Sequence, residues 1–109
     1  MTKAYLYDHV SHVLTLRRLQ SALNIVTEEQ ARADFAARIG QLVGMVAEEE
    51  RYISAFAQGI DDDFTRSIFR ARYIDGFTWS IIADRAGGGN TPDGMRKTVE
   101  RGIENLLGG

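Results

Sequence analysis

Residues 61–106 read DDDFTRSIFRARYIDGFTWSIIADRAGGGNTPDGMRKTVERGIENL, and their punctuation separates three helices of unequal length. Asp61, Asp62 and Asp63 mark the first start, because carboxylates cap free amides and complement the positive end of the helix dipole. That helix is expected to run to about Asp75 and to stop at Gly76, the residue a left-handed C-terminus favours. The second helix is short, Thr78 to Ala86, and should bury Trp79, Ile82 and Ala83. The run Gly87, Gly88, Gly89, Asn90 breaks it. The third has Thr91 as N-cap and Pro92 at its first position, and continues to about Leu107. At 100° per residue Met95, Val99, Ile103 and Leu106 fall in one sector of this third helix, which must be its buried face. Opposite them lie Gly94, Lys97 and Arg101, flanked by Arg96 and Thr98.

Upstream, two longer helices are expected. One spans about Lys3 to Leu23, with Leu6, Val13, Leu16, Leu19 and Leu23 near one face. The other starts after Thr27, where Thr27 and Gln30 fit a capping box, and extends to about Gln58. It carries Phe35, Ile39, Leu42, Val46, Glu49, Ile53, Phe56 and Ile60, a four-three alternation with one polar interruption at Glu49. Such a seam either receives the first helix as an antiparallel hairpin or joins a second copy of the chain. Phe35, Ile39, Leu42, Val46 and Ile53 are the residues through which it would oligomerise. Gly40 and Gly44 form a small-residue pair on another face, read as a tolerated helix cost or a close helix contact.

The chain has 109 residues, one proline, no cysteine, 44% hydrophobic and 26% charged residues, and a formal net charge of -2. This is an ordinary globular composition, and the expected fold class is all-α. Residues 1–59 form the helical N-terminal segment and 60–109 the three-helix unit. Without cysteine there are no disulfides, thiol nucleophiles or thiolate metal sites. His9 and His12 stand three apart, yet the sequence places no carboxylate or third histidine to complete a metal site with them, so packing is expected and no metal or cofactor. The three successive aspartates point in different directions from a helix and do not form a metal cluster either. No run approaches the roughly 18 apolar residues of a membrane span, and the N-terminus lacks the apolar core of a signal peptide, so a cytoplasmic protein without membrane contact is expected.

The segment Phe64–Leu106 resembles region 4 of sigma-70-type factors. It has an Arg-Tyr pair closing the first helix (Arg72, Tyr73), a glycine turn, a short helix with Trp79 and Ile82-Ala83, and then a recognition helix. It is closer still to a family of small phage and prophage proteins of largely unassigned function, which share the Arg-Tyr-Ile, Gly-x-x-Trp and Gly-Gly-x-Asn-Thr signatures. The seam makes the N-terminal segment a helical hairpin or long coiled-coil-like helix; the resemblance implies that a helix-turn-helix follows it, in a transcriptional regulator that binds double-stranded DNA. Because one such unit makes few base contacts, an oligomer is expected. The turn from Ala86 to Thr91 departs from sigma factors in being longer and holding three glycines.

In that frame Thr91, Asp93, Gly94, Arg96, Lys97, Thr98 and Arg101 are the expected DNA-binding residues. Lys97 and Arg101 stand one turn apart and point outward together, as a pair reaching a base edge and a phosphate must. The free amides from Asp93 and Gly94 onward offer a phosphate site at the dipole's positive end. Asp93 and Glu104 share the outward face and repel phosphate, so that either one reads cytosine or they turn away. The bland alternative is a solvated face on which Lys97 and Arg101 pair with Glu100 and Glu104. Trp79 is expected in the core, and Arg72 to pin its helix to its neighbours. No Ser/His/Asp set, carboxylate pair or cofactor motif can be assembled, so an enzyme is not expected. Two classes remain. One is a sequence-specific regulator or DNA-recognising packaging component; the other is a protein-interaction module that uses the sigma-like fold to bind RNA polymerase, a repressor or a host factor. The acidic balance of the chain favours the second, and Thr91 to Arg101 favours the first.

Overall fold

A computed structural model describes residues 1–108 as five α-helices, with no strand among the described residues. They are α1 (Lys3–Leu23), α2 (Glu29–Ala57), α3 (Asp63–Tyr73), α4 (Trp79–Ala86) and α5 (Pro92–Gly108). The chain divides into two compact units, Thr2–Arg51 and, with Met1, the residues from Tyr52 onward. The division falls before the boundary at 59–60 read from sequence because the last turns of α2 pack with the later helices. Phe56, for example, stacks at a tilt on Phe69 with ring centroids 5.9 Å apart.

In the N-terminal unit the Thr2 hydroxyl caps α1 by accepting from the Tyr5 amide at 3.1 Å. At the other end Arg32 donates to the carbonyls of Leu23 (2.6 Å) and Val26 (2.7 Å), which satisfies groups that a helix end leaves orphaned. The start of α2 differs from the capping box expected at Thr27 and Gln30. The Glu28 carboxylate accepts from the amides of Gln30 (3.1 Å) and Ala31 (2.7 Å), and the Gln30 side chain turns forward to Asp34 at 2.9 Å. Two acceptor oxygens and a full negative charge at the dipole's positive end give glutamate the advantage over one hydroxyl.

Leu6 and His9 of α1 and Leu42, Val46 and Glu49 of α2 are buried. Val13, Leu16, Leu19 and Leu23 of the expected α1 face are half-buried, as are Phe35 and Ile39. Two helices can fully cover only the middle of each other's apolar stripe, so its flanks stay partly open. Leu42, Val46 and Ile53 are thus covered within one chain, whereas Phe35 and Ile39 keep part of their surface. A Cβ added at Gly40 or Gly44 would meet nothing within 4 Å, so this pair is a tolerated helix cost and not a close contact.

The C-terminal unit is built around Phe69, whose ring also lies 5.0 Å from that of Tyr73. Ile53, Ala57, Ile60, Ile68, Ile82, Ala83, Met95, Val99 and Ile103 complete the buried set. Each large aliphatic side chain in it contributes about 1.5–3 kcal/mol by leaving water. Asp62 caps α3, Thr78 caps α4 and Thr91 caps α5, each through a side-chain oxygen that accepts an amide three residues on. Trp79 is half-buried, edge-on to Tyr73 at 6.2 Å, and the Arg72 guanidinium lies 5.3 Å over its ring while donating to the Phe77 carbonyl at 3.2 Å. Arg72 therefore pins α3 to the start of α4, as its place in the sequence suggests. Leu106, expected on the buried face of α5, is 37% exposed and covers Gly59.

Candidate nucleic-acid interface

The turn before α5 sets where that helix begins. Gly87, Gly88 and Gly89 have φ of 66°, 62° and 77°, and a Cβ at any of them would meet nothing within 4 Å. Glycine is thus required by backbone conformation and not by crowding. Asn90 fastens the turn, its side-chain amide donating to the Gly87 carbonyl at 2.6 Å. Thr91 then accepts the Gly94 amide at 3.0 Å, and Pro92 brings no amide at all. Of the phosphate-facing amides expected from Asp93 and Gly94, the second is therefore taken.

From that start α5 turns Met95, Val99 and Ile103 inward and leaves Lys97 and Arg101 exposed, as the wheel predicts. Thr91 and Asp93 are exposed; Gly94, Arg96 and Thr98 are half-buried. The Thr98 hydroxyl donates to the Gly94 carbonyl at 2.9 Å.

The charges pair differently from the solvated-face alternative. Lys97 meets Asp93 at 3.0 Å, and Arg96 bridges Asp93 and Glu100, the latter at 3.0 Å. The Arg96 hydrogen bond, followed by that of Lys97, holds the Asp93 carboxyl below its ordinary range. In return Asp93 first, and Glu100 second, push Arg96 above its own ordinary value. Asp93 stays exposed and pairs with both cations. Arg101 forms no ion pair among the described residues and stands over a groove of about 500 Å³ between the start of α3 and the second half of α5. Asp61, Thr98 and Asn105 line the same groove.

The structure therefore places Thr91 as the N-cap of α5 and the other six expected residues on that helix, sorted into two flanks. One carries the Asp93–Arg96–Lys97–Glu100 network; the other carries Gly94, Thr98 and Arg101, together with Asn105, which sequence reasoning missed. The signal for Asn105 was its place one turn beyond Arg101 on the same face. On the other side of the C-terminal unit an apolar groove of about 200 Å³ runs between α3 and α4, lined by Phe64, Ile68, Phe77 and Ile82 with Arg85 at its edge. The Arg85 guanidinium lies 4.8 Å over the Phe77 ring.

In the N-terminal unit His9 and His12 have a partner that their spacing did not reveal. His9 Nδ1 is 2.8 Å from one Glu49 oxygen and His12 Nδ1 is 2.7 Å from the other. Glu49, the polar interruption of the α2 seam, is the carboxylate that the sequence did not place beside them. These are hydrogen bonds, and no group of three or more His, Asp or Glu side chains among the described residues is arranged to hold a metal ion. No described helix is long and apolar enough to cross a membrane. No protein-family model, curated protein or solved structure matches the chain.

Proposed function

We propose that the chain is a sequence-specific regulator of transcription of the phage or prophage type, which binds double-stranded DNA through a helix-turn-helix resembling sigma region 4 and performs no catalysis. The observation that carries this reading is the division of α5: one stripe is buried by Met95, Val99 and Ile103, and the opposite stripe presents an exposed Arg101 and Lys97 after a short helix and a turn. A recognition helix in a major groove needs that division. The ion pairs on Arg96 and Lys97 do not oppose it. Exposed pairs of this spacing are weak and screened by solvent, so phosphates can replace Asp93 and Glu100 as partners. Base reading then falls to Arg101, whose fork suits guanine, and phosphate contact to Lys97 and Arg96.

One recognition helix makes few base contacts, so the regulator acts as an oligomer. Because Leu42, Val46 and Ile53 are buried in the single chain, self-association draws on Phe35 and Ile39, which keep exposed surface beside the exposed Val43. A charge at Ile39 should lower the mass in solution with the helices intact; a charge at Val46 should unfold the unit.

The test is selection of bound sequences from a random DNA library by the full chain, with the mass of the same sample measured. Arg101→Ala should weaken the selected site by about 1–3 kcal/mol and relax preference at one position. Lys97→Ala should weaken all sequences alike and shrink the salt slope by about one. Unchanged DNA affinity in both variants, with the fold intact, would overturn the reading.

A second reading draws support from the apolar groove between α3 and α4. With Phe64 47% exposed and Arg85 at its rim, it suits an apolar segment bearing a carboxylate, as a protein-interaction module for RNA polymerase, a repressor or a host factor would require. Such a module shows no salt-dependent DNA affinity.

A further inference from the structure

The His9–Glu49–His12 cluster lies on the apolar stripe shared by α1 and α2, beside Leu6 and Val46. His9 is fully buried and Glu49 is 8% exposed. An ionised carboxylate has only lone pairs, so each imidazole donates its Nδ1–H to one oxygen. The other ring nitrogen of His9, Nε2, is buried and has no partner. An apolar seam would avoid both this unmet polar atom and the desolvation of Glu49. What the cluster adds is geometry: two donors one turn apart on α1 are matched to the two oxygens of a single side chain on α2.

We propose that this cluster is a register lock, which holds α1 on the α2 of its own chain in one alignment and closes the Leu42, Val46 and Glu49 part of the α2 seam to other pairings. The alternatives can be read from the sequence. Sliding α1 by four residues one way puts Tyr5 and Asp8 opposite Glu49, and Asp8 repels it. Four residues the other way brings Val13 and Leu16, and seven brings Leu16 and Leu19, with no donor in either case. The apolar positions of α1 would tolerate these slips, since leucine recurs at heptad and near-heptad spacing; Glu49 does not. A parallel pairing of α2 with a second α2 would bury Glu49 against its own copy, two like charges without donors. One polar side chain in an apolar seam, satisfied in a single arrangement, selects that arrangement.

The experiment compares the native chain with Glu49→Leu and with the triple variant His9→Leu, His12→Leu, Glu49→Leu. The chain contains no cysteine, so Ser11→Cys with Ala47→Cys gives a clean spin-label pair on exposed positions of α1 and α2. Glu49→Leu alone strands the buried His9 donor and the half-buried His12 donor and should lower the melting temperature by more than about 10 °C. The triple variant should keep its helicity and melt at or above the native temperature. Its label-to-label distances should nevertheless spread from one narrow population into several, and its mass should become mixed. A triple variant with the native single distance and the native mass would overturn the lock. So would a Glu49→Leu variant as stable as the native chain. Loss of stability alone does not produce the distance readout, which separates a lock from a merely packed cluster.

Discussion

Gly102 lies in the middle of α5, where glycine costs about 1 kcal/mol relative to alanine, so Gly102→Ala should stabilise the protein if only helix propensity mattered. The structure predicts the opposite. A Cβ at position 102 would stand 2.7 Å from the Thr65 Cγ2 methyl of α3, against an optimum of about 3.5–4.0 Å between carbons. Thr65 is 7% exposed and cannot swing aside cheaply, because its amide and its hydroxyl both donate to Asp62 Oδ2, at 2.8 and 2.7 Å. Relief must come from moving α5 off α3 or from breaking the α3 cap. Overpacking of this kind costs about 1–3 kcal/mol, and the locked threonine puts the cost in the upper part of that range. Net of the propensity gain, Gly102→Ala should lose about 1–2 kcal/mol and about 5–10 °C in melting temperature. The assay is urea denaturation of Gly102→Ala, Thr65→Ser and the double variant, read as midpoints at constant slope. Serine keeps the hydroxyl that Asp62 needs and removes the methyl, so alanine at 102 should be tolerated in the Thr65→Ser background. The reasoning is refuted if Gly102→Ala is as stable as the native chain, or if alanine costs the same with serine at 65. Gly40→Ala is the control: with nothing within 4 Å of its Cβ, it should gain about 0.5–1 kcal/mol.

Further expectations concern charge, the turn and the aromatic cluster. Hydrogen bonds from Thr65 hold the Asp62 carboxyl below its ordinary value of 3.8. Its contribution to stability is therefore complete above about pH 4 and lost as pH falls through the depressed folded value, so Asp62→Asn should flatten the acid limb of a stability-against-pH curve. Asp93→Asn removes the anchor of Arg96 and Lys97 and should tighten DNA binding measured by fluorescence anisotropy at low salt; weaker binding would mean that Asp93 organises the interface. Gly88→Ala places a side chain at a φ of 62° and should cost about 1–2 kcal/mol by thermal melting, in spite of the open space around it. Trp79→Ala should cost about 2–3 kcal/mol, below the loss for a fully buried tryptophan, through its contacts with Tyr73 and Arg72. Calorimetry of that variant checks the figure.

The five helices were legible because their signals are local. Thr91-Pro92, Thr78, Asp62 and the glycines at 76 and 87–89 act within a turn of where they stand, and the apolar spacing of Met95, Val99 and Ile103 needs only the helical period to be read. The inward and outward faces of α5 follow from the same arithmetic. Local signals failed where two acceptors competed for one set of amides, as at Glu28 against Thr27, and where the partner of a charge depended on side-chain reach, as when Lys97 met Asp93 and not Glu100.

What only the tertiary structure decided are the contacts between distant residues. Nothing near position 49 in the sequence shows that a glutamate in an apolar seam answers two histidines on α1, because the match exists only once α1 lies on α2 in one register. Likewise the glycine at 102 looks like a flaw in a helix until Thr65 is brought against it. Period and capping are properties of a few consecutive residues, whereas register and close approach are set by which surfaces meet. A sequence states the first directly and carries the second only as a polar residue, or a missing side chain, waiting for its partner.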